Sequence, residues 1–243
     1  MTFPPAPQTA AERRLESPDF PPFAEAPMTP AARRAVLMRD VDLVLDVGAN
    51  RGQYAQWIRS FGYEGRIISF EPQSEPFFAL LTNAESDSRW EAHNIALGNQ
   101  DSEITLHVAK DSISTSALRA TVEHLQFCPE AEQVAHEHVQ IRTLAAIWDT
   151  LGCDGSLYMK VDVEGLELDV LRGLGEGLLR LFEFIELEVG LVPHYEDAPS
   201  FADVIEFMSS HSFGVVALEQ TQGDDHSTGQ MLMVEAIFRR DTG

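Results

Sequence analysis

The sequence predicts an α/β fold, a mostly parallel and doubly wound sheet that ends in an antiparallel hairpin strand. Three observations carry that reading. Apolar, β-branched runs alternate with segments of helical period from Val41 to the C-terminus, the pattern of strands joined by helical crossovers. The first of those runs, "VDLVLDVGA", passes directly into a turn holding Gly48 and Gly52, and such sheets hold ligands outside the carboxyl ends of their strands. The last two runs, "FGVVALEQ" and "QMLMVEAIFRR", are separated by a polar, glycine-containing turn. Strands joined by a turn pair antiparallel, so the final strand enters the sheet reversed.

The elements follow in order. Residues 1 to 30 are rich in proline and small residues and have no sustained apolar period, so they read as a disordered or loosely docked arm, with a mobile tail favoured over one pinned to the body by Phe20 and Phe23. Residues 31–243 are expected to form a single domain, with an insertion around 110–140. In "TPAARRAVLM" Thr29 supplies an N-cap and Pro30 the first helical position. "VDLVLDVGA" is a strand buried on both faces. "QYAQWIRSFG" is a helix, "GRIISFEP" a second strand, and "SEPFFALLTNA" a helix with Ser74 as N-cap. "WEAHNIALG" is a third strand, and "EITLHVA" alternates as an antiparallel addition does. The serine-rich "DSISTSALR" and the acidic, histidine-bearing "EHLQFCPEAEQVAHEHVQIRTL" receive no assignment. Beyond them come the helix "LAAIWDTLG", the strand and turn "GSLYMKVDVEG", the helix "LELDVLRGLGEGLLR", the strand "LFEFIELEVG", the helix "SFADVIEFMSSH" and the terminal hairpin.

Composition narrows the function. The 243 residues are 44% hydrophobic, enough for a packed core, and hold no run of about 18 apolar residues that would span a bilayer. The N-terminus lacks the basic start, apolar core and cleavage site of a secretory signal, so a cytoplasmic protein is expected. The net charge is -22, and the 17 basic residues include two lysines, Lys110 and Lys160. A surface that acidic repels phosphate backbones, which argues against nucleic acid as a partner; adaptation to high salt is another reading of the same charge. Cys128 and Cys153 are too few for a disulfide scaffold and have no CxxC partner. His124, His136 and His138 show no zinc spacing with Cys128. A homodimer is the base-rate expectation for assembly.

The glycine turn "DVGANRG" lacks the GxGxxG of dinucleotide sites, with Asn50 where the second glycine would stand. Asp46 at the strand end repels phosphate and attracts an amino group. Glu71 closes the second strand about 20 residues after the turn, where an acid commonly binds both ribose hydroxyls. An adenosine carrying an amino acid in place of a phosphate satisfies both acids, and S-adenosyl-L-methionine is such a molecule.

Together with these, "LVLDVGANRGQY", "IISFEP", "NIALGN", "VQIRTLAAI", "LYMKVDVEGLELDVLRG" and "FIELEV" occur in an order that resembles the FkbM-type methyltransferases over roughly residues 41 to 190. The resemblance implies a Rossmann-like class I methyltransferase fold. It also implies an S-adenosylmethionine-dependent O-methyltransferase that acts on a hydroxyl of a small molecule, sugar or glycolipid. Carried over by position, Asp46, Gly48, Ala49, Asn50, Gly52 and Tyr54 would form the methionine-side loop. Glu71 with Pro72 would clamp the ribose, and Asn94 and Ala96 would lie near adenine.

In "KVDVEG", Lys160, Asp162 and Glu164 alternate along a strand end and share one face before Gly165 turns away. A lysine beside two carboxylates keeps them ionised, and a carboxylate near the methyl donor takes the proton of an attacking hydroxyl. With the resemblance, Asp162 is the favoured base, Glu164 and Lys160 its companions; a buried ion pair is the bland alternative. Glu186 and Glu188 alternate at the end of the next strand. With Asp162 or Glu164 they offer the oxygen ligands that Mg²⁺ requires, against the competing reading of a polar pocket wall, and no residue is assigned to a metal. His194, just after that strand, is a further base candidate, with an exposed loop histidine as the favoured alternative. Phe77 and Phe78 read as core before substrate platform. The competing functions are a nucleotide-dependent oxidoreductase or epimerase, weakened by the missing GxGxxG and the reversed last strand, and a non-catalytic cofactor-binding protein.

Overall fold

The computed structural model describes residues 27–221 and 223–241. The expectation of a disordered arm concerns, for residues 1–26, a stretch outside the described residues. Thr29 caps helix α1 (Pro30–Leu37) by accepting from the Ala32 N–H, with Pro30 at its first position. Then follow β1 (Leu43–Val47), α2 (Gln53–Ser60), β2 (Arg66–Phe70), α3 (Ser74–Ala84) and β3 (Trp90–His93). The chain continues through β4 (Ala96–Leu97), β5 (Ser102–Ala109), α4 (Val122–Phe127), β6 (Gln133–Arg142) and α5 (Leu144–Leu151). The second half holds β7 (Leu157–Val161), α6 (Glu167–Arg172), α7 (Gly175–Leu179), β8 (Phe182–Gly190), α8 (Phe201–Ser210) and β9 (Phe213–Gln220). Two short strands, β10 (Asp224–Asp225) and β11 (Gln230–Met231), sit in the final turn before β12 (Met233–Arg240).

Seven strands form the main sheet in the order β3-β2-β1-β7-β8-β12-β9. The first five are parallel, and β12 is antiparallel to both β8 and β9, which is the reversed last strand that the terminal turn requires. Side chains alternate between two layers. Leu43, Leu45 and Val47 pack with Met159, Leu144, Leu168, Val204 and Met208 on one face. Val44 packs with Tyr158, Phe184, Ala55, Ile58 and Leu80 on the other. By the same alternation Asp46, Lys160 and Glu186 belong to the second face. They lie in cross-strand register with one another, as Asp46 does with Ser69.

Several boundaries differ from those expected. The run "WEAHNIALG" is broken after His93, and its second half joins a separate three-stranded sheet, β4-β6-β5. There β4 runs parallel to β6, and β5 pairs antiparallel with β6 as its alternation suggested. The unassigned insertion thus supplies β6, with a small core of Ala96, Leu106, Val139 and Ile141. The N-cap of α3 is Gln73, and Ser74 is its first residue. The long helix after "KVDVEG" is two short ones, broken where the second opens on Gly175 in a left-handed conformation. Phe78 is 69% exposed and does not join the core.

Candidate functional site

A cavity of about 540 Å³ opens at the carboxyl ends of β1, β2, β7 and β8. Its floor begins with the glycine turn. The Gly48 and Ala49 N–H groups donate to the Phe70 carbonyl, both at 3.0 Å. Gly48 is left-handed, at φ +81°, and a Cβ there would lie 1.7 Å from the Asp162 carbonyl oxygen. Glycine is therefore required where the β1 turn meets the end of β7. Gly52, at φ +85°, is also tightly packed, and a Cβ there would lie 2.6 Å from the Trp90 ring.

Glu71 directly follows β2 and is 6% exposed. One carboxylate oxygen accepts from the Asn50 N–H at 2.8 Å and the other from the Gln73 N–H at 2.7 Å. Burial pushes its carboxyl up to about 7, opposed by these two hydrogen bonds and assisted by Asp46 and Asp162. The Asn50 side-chain amide donates to the Ser112 carbonyl at 2.9 Å, tying the turn to residues 112–117, which line the cavity. That segment is also held from the far side. Ser116 Oγ donates to the Glu164 carbonyl at 2.6 Å and the Tyr195 hydroxyl to the Ser114 carbonyl at 3.1 Å.

The other end of the cavity is crowded with charge. Lys160 Nζ lies 2.6 Å from Asp162 Oδ2 and 5.5 Å from the centroid of the Tyr54 ring. Burial opposes its charge, but Asp162, Glu235 and Asp46 outweigh burial and hold the ammonium well above its usual range. Carboxylate oxygens of Asp162, Glu164 and Glu188 lie within 4.8 Å of one another. Burial and then Asp162 push the Glu164 carboxyl well above the usual carboxylate range. Burial, Asp162, Glu164 and Glu235 do the same to Glu188. Across the cavity Arg34, 2% exposed, reaches down from α1 to Glu186 and Glu219, with its guanidinium 5.0 Å from the Trp57 ring centroid. Tyr54 and Tyr158 both donate to Glu186. Burial alone would raise the Glu186 carboxyl, yet Arg34 and the two hydroxyls hold it below the ordinary range.

Among the expected residues, Gly48, Ala49, Asn50, Tyr54, Glu71, Pro72, Ala96, Lys160, Asp162 and Glu164 line this cavity. Asp46 lies beneath the turn, fully buried, where Ser69 Oγ donates to it at 3.0 Å and burial pushes its carboxyl up to about 6. Asn94 is not among the lining residues and donates to the Glu71 and Pro72 carbonyls at 2.9 and 3.0 Å. His194 is not the exposed loop residue that its surroundings in sequence suggest. It is 4% exposed, stacked edge-on against His124, and lines a separate cavity of about 130 Å³ that shares Glu164 and Glu188 with the main one. Burial and then His124 push its imidazole down to about 4.

Arg34, Trp57, Gln73, Glu219 and Glu235 also line the main cavity and were not singled out from sequence. For Glu219 and Glu235 a signal existed, a lone acid in each apolar hairpin strand. A doubled arginine on a short helix carries none.

The model of the methyltransferase FkbM domain matches residues 46–215. Methyltransferase 1 of Beauveria bassiana (strain ARSEF 2860) is 27% identical over 191 residues, which cover 72% of this chain and 74% of that protein. The crystal structure of the methyltransferase FkbM from Methylobacillus flagellatus KT shares the fold, with a TM-score of 0.50 at 15% identity, over 81% of this chain and 44% of that one. Among the described residues no helix is long and apolar enough to cross a membrane. The chain belongs to the FkbM methyltransferase domain family and is, by that membership, an S-adenosylmethionine-dependent methyltransferase.

Proposed function

We propose that the protein methylates a hydroxyl of an uncharged small molecule, sugar or glycolipid, with the cofactor over β1 to β3 and the acceptor over β7 and β8. One observation carries this. A single cavity joins a carboxylate preset by two backbone N–H groups to an ion-paired carboxylate on a neighbouring strand. The donor set suits the cofactor: Glu71 keeps lone pairs for two ribose hydroxyls, and no phosphate-binding run of glycines is present. S-adenosylmethionine supplies an electrophilic methyl group on a sulfonium. Everything else falls to the chain. The glycine turn and Tyr54 bound the methionine end, residues 112–117 cover the cavity, and Asp162, positioned by Lys160, takes the hydroxyl proton as the new bond forms. Glu164, Glu188 and Glu235 form no ion pair among the described residues. Burial and neighbouring acids already disfavour their ionised forms, so an anionic acceptor, nucleic acid included, would add charge where the pocket tolerates it least, while a polyol finds hydrogen-bond donors and acceptors.

The Asp162, Glu164 and Glu188 cluster favours a second reading, in which the same carboxylates hold a divalent cation such as Mg²⁺, a hard ion that suits an all-oxygen set. A test begins with calorimetry using S-adenosylhomocysteine and NAD, then mass spectrometry of acceptor pools for a donor-dependent gain of one methyl group, with and without chelator. Binding of NAD and not of S-adenosylhomocysteine overturns the proposal. Methyl gain confined to nitrogen overturns its acceptor. Loss of turnover on chelation selects the metal reading.

A further inference from the structure

The residue that reads the adenine ring is assigned by what its neighbours have already spent. Asn94, expected near adenine, commits its amide hydrogens to the Glu71 and Pro72 carbonyls and is not on the cavity lining. The adjacent turn contains another amide. Gln73 is 7% exposed, lines the cavity, and its side-chain Oε1 has no hydrogen-bond partner among the described residues. Its backbone is fixed on both sides. The N–H donates to Glu71 at 2.7 Å, and the carbonyl accepts from the Phe77 N–H at 3.0 Å as α3 begins. Although Gln73 is the N-cap residue of that helix, its side chain makes no capping bond. A buried amide oxygen left unpaired is costly, and such groups in native proteins usually meet a partner.

The surroundings say what kind of partner. Phe70, Ile95, Ala96, Leu97, Ile104 and Leu106 line the same cavity, and Ile95 to Leu97 follow β3, the strand beside β2. A flat apolar ring suits such a lining, and a carboxamide in the same cavity matches the donor and acceptor on the edge of adenine.

We infer that Gln73 is the adenine-reading residue, its Oε1 accepting a hydrogen bond from the 6-amino group of the cofactor. The inference rests on the proposed cofactor reading of the cavity. It makes Glu71 and Gln73 one device, because the backbone bond that presets the ribose carboxylate also fixes the origin of the base-reading side chain.

The test is a cycle on full-length protein: calorimetric affinities of the parent and of Gln73→Met for S-adenosylhomocysteine and for its analogue with hydrogen in place of the 6-amino group. The parent should lose roughly threefold to tenfold on removal of the amine, the worth of one neutral hydrogen bond. Gln73→Met should lose less than about twofold, since its oxygen is already gone. Gln73→Asn serves if the methionine variant does not fold, and should also show a reduced penalty because its oxygen is drawn back by one methylene. An equal penalty in parent and variant, or none in the parent, overturns the assignment. Failure of the parent to bind either ligand removes the cofactor from this cavity, and Gln73 with it, a result distinct from binding without discrimination.

Discussion

The two ends of the cavity solve opposite problems with the same side chain. At the β2 end one carboxylate, Glu71, has a backbone N–H on each oxygen. At the β7–β8 end three carboxylates bring oxygens within 4.8 Å of one another, with Lys160 paired to one of them. The first arrangement is shaped before a ligand arrives, by backbone N–H groups of the β1 turn and of the turn after β2. The second gathers charged side chains at the ends of two neighbouring strands, β7 and β8. Backbone donors fix geometry at little electrostatic cost, whereas crowded acids store repulsion that a proton or a cation relieves. A site that binds one invariant ligand and also one that must lose a proton has use for both.

The sharpest way to break the comparison is Asp162→Asn. With proton removal assigned to the β7 end, turnover should fall by roughly 10² to 10⁴ while S-adenosylhomocysteine affinity stays near that of the parent. Three measurements on one variant decide it: melting temperature, cofactor affinity, and turnover with and without chelator. Parental turnover sinks the assignment of Asp162. A proportional loss of affinity and melting temperature would mean that the ion pair with Lys160 is structural. Turnover restored by added Mg²⁺ would move the residue to the metal reading.

The next largest effect concerns the latch over the same end. Arg34 comes from α1 and Glu186 from β8, 152 residues apart, and both are buried. Removing one partner of a buried pair leaves an uncompensated charge at a cost of roughly 3 to 5 kcal/mol. Arg34→Met should therefore lower stability by about that amount in denaturant unfolding, and adding Glu186→Gln should recover most of it. A double variant no more stable than Arg34→Met would show that packing against Trp57, and not charge, is what Arg34 supplies.

The contrast between the two ends also explains what was legible in the sequence. The β2 end is written in short stretches, "DVGANRG" and "FEP", because a glycine in a left-handed turn and an acid at a strand end are local requirements. The same holds for β1 and β7, whose every residue is buried and whose apolar runs announce that. At the other end only "KVDVEG" and "FIELEV" were visible, since adjacency within a strand fixes which side chains share a face. Arg34 was not legible, because "AARRAV" reads as an ordinary surface helix and nothing local says that one arginine turns inward to Glu186. Gln73 was hidden by its neighbour. A serine is the better N-cap by propensity, yet the Gln73 N–H bonded to Glu71 starts the helix one residue earlier. His194 sits in a loop by sequence, and its burial depends on α4, an element of the unassigned insertion. Asn94 was expected near adenine, and the sequence did not show that its two donors are consumed by the turn that it supports.

The smallest effect is the most specific to the β2 end, and it concerns pH. The Glu71 carboxyl is pushed up to about 7, from an ordinary 4.5, chiefly by burial, with Asp46 and Asp162 adding to it. Ribose hydroxyls donate, so they favour the ionised form. Affinity for S-adenosylhomocysteine should rise as pH passes upward through 7, by about tenfold between pH 6 and 8, the change in ionised fraction for a group of that pKa. Folding stability of the ligand-free protein should move the other way. A carboxyl whose folded value is raised binds more protons folded than unfolded between 4.5 and about 7, so its contribution is complete below 4.5 and is lost as pH rises through 7. Glu167, raised to about 7 by burial, and Asp46, raised to about 6, tilt stability in the same direction. The informative quantity is therefore the difference between the parent and Glu71→Gln. The variant should bind with a flat pH profile and should lose part of the stability slope. Identical pH profiles of affinity in both proteins would show that the β2 carboxylate does not meet the ribose, and the preset end of the cavity would need another ligand.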